Sequence, residues 1–173
     1  DRGSRPGAPL WRVCDFHPDV ATADRAGLEA ALQAAGLLDA WLLPDGSLCD
    51  PATEDTFLVV PGQSELESHL GQRLVPSLDP QDAQAAALSP AIVARTLAAI
   101  GFQTSGSSPE GELDRDSFGR ARSARPARSH AWVATDGSWQ VGPLTGRWSK
   151  PAAEYIVQVL DARCDSCDVC ICF

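Results

Sequence analysis

Apolar residues recur along this chain with two alternating periods, and together they imply an α+β fold. Leu10 to Phe16 reads as a strand. Thr22 or Asp24 then caps a helix to Ala35, with Leu28, Ala31, Leu32 and Ala35 on one face at i, i+3, i+4 and i+7. Gly36 stops it, and Leu37 to Leu43 forms an apolar strand closed by the Pro44-Asp45-Gly46 turn. Thr56 to Val60 is a short buried strand, and Ser64-x-x-Glu67 is a capping box opening a brief helix. Asp79-Pro80 and Ser89-Pro90 each put Pro at a first helical position behind a good cap. The second starts a helix through Ile92, Val93, Leu97 and Ile100 that ends at Gly101. Residues 103 to 130 have almost nothing to bury and read as a long mobile loop. Trp132 to Thr135 and Ser138 to Val141 flank Asp136-Gly137, a strong hairpin signal. A last helix starts near Pro151 and runs toward Ala162.

The two halves repeat one another. Leu32, Ala34 and Gly36 recur as Leu97, Ala99 and Gly101, with an apolar Leu37 or Phe102 following. Ala40-Trp41-x-x-x-Asp45-Gly46-Ser47 recurs as Ala131-Trp132-x-x-x-Asp136-Gly137-Ser138. Each Gly is placed to end its helix in the left-handed conformation, with the next apolar side chain packing back five positions, as a Schellman cap requires. The expected organisation is a linker over 1–9, a domain over 10–156 made of two similar helix-plus-hairpin halves (about 10–75 and 76–156), and a tail over 157–173.

Composition narrows the function classes. The 173 residues carry 14 basic and 23 acidic side chains, a formal charge of −9 that argues against a surface broadly coated by nucleic acid. No apolar run is long enough to span a membrane and none reads as a leader, so a cytoplasmic chain is expected. The chain has no Met and starts Asp1-Arg2-Gly3-Ser4, which suggests a piece of a longer product. Thirteen Arg against one Lys reads as coding bias.

Candidate chemistry is sparse. No phosphate loop and no Gly-x-Gly-x-x-Gly follows a strand, so no nucleotide cofactor is expected. Cys14-Asp15-x-His17 gathers nucleophile and base types, but strand alternation sends Cys14 and Asp15 to opposite faces. His69 and His130 are isolated, and Asp45 and Asp136 are turn residues. Arg120, Arg122, Arg125 and Arg128 form a basic run without an acid, a candidate DNA contact. Trp41, Trp132, Trp139 and Trp148 are core or interface anchors. Cys164, Cys167, Cys170 and Cys172 have thiolate-ligand spacing, but all four crowd one terminal tail, which leaves a small metal-binding protein as an alternative and a disordered tail as the plainer reading.

Two stretches, Arg25 to Gly46 and Trp132 to Ile156, carry a family likeness. Over roughly Pro9 to Ile156 the chain resembles the central globular segment of the SMC-like (MukB-like) ATPase subunit, JetC type, of bacterial Wadjet plasmid-defence systems. The resemblance implies an SMC-hinge-like domain that forms a homodimer joining two coiled-coil arms. It also implies DNA and other defence-complex subunits as partners of the parent complex. It implies no catalytic residue here, since the ATP-binding motifs of that family are absent. If the domain is a hinge, its ordered start and the helix after Pro151 should lie close together, because both must join one coiled-coil arm.

Overall fold

The computed structural model describes residues 5–50, 56–58, 66–104 and 131–156. They fold into two helices, three small sheets and three 3-10 turns, a mixed α+β architecture. The strands are β1 (Ala8–Pro9), β2 (Cys14–Phe16), β3 (Trp41–Leu42), β4 (Leu48–Cys49), β5 (Thr56–Leu58), β6 (Leu74–Pro76), β7 (Gly101–Gln103), β8 (Ala131–Ala134), β9 (Ser138–Val141) and β10 (Leu144–Arg147). The helices are α1 (Thr22–Ala34) and α2 (Pro90–Ala99).

The strand expected over 10–16 is broken. Ala8 and Pro9, expected as linker, pair antiparallel with β3, and Leu10–Arg12 turns as a 3-10 helix before β2 pairs with β6. A continuous strand would send Val13 to the face opposite Leu10, Cys14 and Phe16. The turn instead buries all four, leaving them 0%, 0%, 5% and 2% exposed.

Helix α1 has Ala21 at its N-cap with no side-chain cap, so Thr22 and Asp24 both lie inside the first turn. Its other end is the expected Schellman cap. Gly36 has φ +71°, Leu37 N–H donates to Leu32 O at 2.9 Å, and Gly36 N–H donates to Gln33 O at 3.0 Å. Helix α2 begins as expected, with Ser89 Oγ accepting from Ile92 N–H at 3.3 Å and Pro90 in the first turn. Its end departs from expectation. Ile100 is extended at φ −96°, ψ 122°, and Gly101 goes straight into β7, parallel to β8 with Gly101 opposite Trp132. Pairing with a strand from far along the chain outcompetes the local cap.

Three other expected helices are not formed over the described residues. At Asp79-Pro80 the Asp79 carboxylate closes a turn, accepting from Gln81 N–H at 2.9 Å, and only a 3-10 turn at Ala85–Ala87 follows. Glu67 lies in a bend before the 3-10 turn Leu70–Gln72, while Ser64, its expected capping partner, lies outside the described residues. Residues 151–156 are irregular, and 157–162 lie outside the described residues.

One sheet has the order β1-β3-β4-β5, all antiparallel, and another the order β10-β9-β8-β7, with β7 and β8 parallel. Their hairpins match. In each, the register leaves a three-residue loop, 44–46 and 135–137, rather than a two-residue turn. The glycine N–H closes back on the residue three before it, Gly46 to Leu43 O at 2.9 Å and Gly137 to Ala134 O at 3.2 Å. Both glycines are left-handed, at φ +93° and +84°. This is the three-residue hairpin with glycine at its third position. The core is built from Leu10, Leu28, Leu32, Leu37, Leu70, Leu97 and Ile100, each fully buried, with Phe102 and Val133 alongside.

A Cβ at Gly137 would also overlap the Trp148 carbonyl, whereas one at Gly36 would meet nothing within 4 Å. Gly36→Ala is therefore expected to cost about 1–2 kcal/mol, from the left-handed backbone alone. Gly137→Ala should cost clearly more, because the backbone strand behind it must move. Urea unfolding of the two variants side by side checks the order.

Candidate functional site

Helix α1 carries one charged residue on its buried side. Glu29 is 0% exposed, between Leu28 and Ala30, themselves fully buried. An isolated carboxylate in such surroundings would cost several kcal/mol. Here both oxygens are saturated. Oε1 accepts from Lys150 Nζ at 2.9 Å and from Glu154 N–H at 2.8 Å. Oε2 accepts from Tyr155 N–H and Ile156 N–H, each at 2.9 Å. Two hydrogen bonds per oxygen is the full capacity of a carboxylate. Burial works against the charge of Glu29, but the N–H groups of Ile156 and Glu154, the Lys150 ammonium and Tyr155 N–H together hold its carboxyl below the ordinary glutamate range.

Lys150 is boxed in as well. Its ammonium lies 4.7 Å from the Tyr155 ring centre, 5.6 Å from that of Trp148 and 3.6 Å from Glu154 Oε2, and its side chain is 6% exposed. Tyr155 in turn meets Trp11 with ring centres 6.3 Å apart. The start of the domain and its last described residues are thereby neighbours. Ile156 closes the segment, buried in the core.

Two arginines act on the hairpin turns. Arg95 of α2 donates to Asp45 O at 2.9 Å, and Arg147 of β10 donates to Asp136 O at 3.0 Å. Inside the turns, Asp45 Oδ1 accepts from Ser47 N–H at 2.8 Å and Ser47 Oγ at 2.6 Å, and Asp136 Oδ1 accepts from Ser138 N–H at 3.0 Å. The Ser47 hydroxyl and N–H hold Asp45 below the usual carboxylate range. Asp136, whose burial opposes its charge, is held there by Ser138 and Arg147. These are turn carboxylates, as their Asp-Gly-Ser context implied.

The helices cross over to the opposite turns. Gly27 of α1 sits so close to the 135–137 turn that a Cβ there would overlap Thr135 O. Thr96 of α2, fully buried, donates to Gly46 O at 3.2 Å beside the Arg95 contact.

The four tryptophans differ in setting. Trp41 is buried in β3 and donates its indole N–H to Pro6 O at 3.2 Å. Trp132 is half-buried and donates to Gln140 Oε1 at 2.7 Å. Trp139 packs on the core, and Trp148 is 43% exposed over Lys150. Cys14 is buried, its thiol donating to Leu10 O at 3.1 Å, and burial pushes its pKa far above the ordinary thiol value. His17, on the same stretch, accepts from Asp19 N–H at 3.3 Å. Arg120, Arg122, Arg125, Arg128, His130 and the four tail cysteines lie outside the described residues. Among the described residues no cluster of three metal-ligating side chains occurs, and no helix is long and apolar enough to cross a membrane.

Sequence reasoning missed Glu29, Lys150, Arg95 and Arg147. One signal existed for the pair. In a chain with thirteen Arg, the single Lys marks a position where a compact ammonium is needed.

Comparison with protein-family models, curated proteins and solved structures finds no match.

Three expectations follow from the clamp. Glu29→Ala strands a buried ammonium and should cost about 3–5 kcal/mol. Because the Glu29 carboxyl is lowered in the folded state, its stabilisation is complete above the unfolded value of about 4.3 and is lost as pH falls through the folded value. The stability gap between wild type and Glu29→Gln, from urea unfolding, should therefore be largest at neutral pH and shrink on acidification. Lys150→Arg, although it keeps the charge, should destabilise by about 1–3 kcal/mol, since a forked guanidinium competes with the backbone N–H groups for oxygens already filled.

Proposed function

We infer that this chain is a non-catalytic, hinge-like dimerisation module, the central domain of an SMC-like ATPase that acts with partner subunits on plasmid DNA. The observation that carries the reading is the meeting of its two ends. Trp11 and Tyr155 are in ring contact, and Glu29 fixes residues 154–156 against the same body. A module inserted between the outgoing and returning strands of one coiled-coil arm has to bring its two ends together. The matching hairpins support the accompanying view of two similar halves, since each closes a three-residue loop with a left-handed glycine and has an arginine donating to its aspartate carbonyl.

A hinge also needs a surface for its second copy. The large apolar side chains exposed among the described residues are Leu144, Trp148 and Tyr155, at 64%, 43% and 43%. All belong to β10 and the segment after it, and β10 is an edge strand of its sheet. Trp and Tyr are the residue types that most often anchor interfaces.

Sedimentation analysis tests the reading. The chain is expected to form a homodimer at micromolar concentration, with Leu144→Asp or Trp148→Asp weakening it by about tenfold or more. A monomer across the whole accessible concentration range overturns the assignment.

A further inference from the structure

We propose that residues 150–156 are a latch, closed by the Glu29 carboxylate, that opens as a unit while the rest of the domain stays folded. The segment has no regular secondary structure. Its described main-chain hydrogen-bond donors, the N–H groups of Glu154, Tyr155 and Ile156, all end on the one Glu29 side chain, as does Lys150. Upstream, Trp148 N–H is tied independently to Gly137 O at 3.0 Å, so a boundary falls between 148 and 150. Glu29 itself sits on α1, which packs on β8 and β9 through contacts that do not involve the segment.

The described polar attachment is single-point. Withdrawing one carboxylate unties three backbone donors and an ammonium together, and leaves ring and apolar contacts to hold the segment, among them Trp11–Tyr155, Lys150 over Trp148, Ala153 and the Ile156 side chain. Local opening of such a unit below the cost of global unfolding is ordinary behaviour for segments with few buried contacts. The charged groups at the Glu29 carboxylate are Lys150 and, through it, Glu154, both on the moving piece. The adjacent Asp136 and Arg147 pair with each other on the stationary part. Opening therefore frees an ammonium and leaves the carboxylate behind on α1. This is a property of the fold and stands whether or not the chain dimerises.

The chain carries its own probes. Lys150 is its only lysine and is 6% exposed when the latch is closed, and Cys14 is a fully interior thiol that reports on the core. An amine-acylating reagent and iodoacetamide are applied together across a urea series, and the two sites are read by peptide mass spectrometry. In the wild type Lys150 should become reactive at urea concentrations where Cys14 is still inert. Glu29→Gln should raise Lys150 labelling in water by about tenfold or more with Cys14 unchanged, reflecting the loss of charge-assisted hydrogen bonds. Simultaneous exposure of Lys150 and Cys14 in the wild type overturns the proposal. So does unchanged Lys150 labelling in Glu29→Gln, or exposure of Cys14 by that substitution in water.

Discussion

A buried carboxylate has four acceptor positions, and the fold is obliged to fill them. Glu29 meets that obligation with two donors on each oxygen, all from residues 150–156. The consequence reaches across the molecule. α1 cannot rotate about its axis without breaking the clamp, and its orientation also fixes which side chain faces the 135–137 turn. At that point only glycine fits, because a Cβ on Gly27 would overlap Thr135 O. A mid-helix glycine costs about 1 kcal/mol against alanine, so the close approach is maintained at some expense. The same saturation explains why the cation is lysine in a chain that otherwise uses arginine. An ammonium takes one acceptor position and leaves three for the backbone, and a bidentate guanidinium would take two.

The second organising feature is exchange. Each helix braces a hairpin turn from the other part of the sequence, α1 through Gly27 and α2 through Arg95 and Thr96. Each turn is internally the same device, an aspartate accepting from a serine two residues on, with a left-handed glycine between them. The two helix contacts differ in kind, since Arg95 and Thr96 satisfy carbonyls of the 44–46 turn, whereas Gly27 lets α1 approach a 135–137 turn that Arg147 and Trp148 hydrogen-bond from its own side. The two hairpins differ in their surroundings. β1 runs antiparallel to β3 where β7 runs parallel to β8, and Gly36 caps its helix while Gly101 starts a strand.

What was legible in the sequence was local. The Asp-Gly-Ser turns, the Ser89-Pro90 start and the Gly36 cap each depend on residues within five positions of one another, and each is found. Gly101 has the same local signature as Gly36, but its conformation is decided by Trp132, thirty-one positions away by their numbering, and no window on the sequence contains both. Leu10 to Phe16 fails as a continuous strand for a similar reason. Alternation is the correct local expectation, but burial of Val13 with Leu10 requires a break. The clamp was the least legible. On a helical projection Glu29 is simply a polar residue beside an apolar stripe, and its partners lie more than a hundred positions later.

Joining the two ends of a domain can be done with apolar contact alone, and Trp11 on Tyr155 supplies some. Apolar contact is tolerant of sliding, because its energy depends on area and not on direction. A carboxylate that must receive four donors is not tolerant, since a displacement of one residue leaves a charge or an N–H group unpaired in the interior. A polar clamp of this kind adds less net stability than an apolar patch of equal size, and adds more definition of register. In residues 150–156 the register is therefore set by the four donors on Glu29, and the ring contact of Trp11 with Tyr155 follows that register without fixing it.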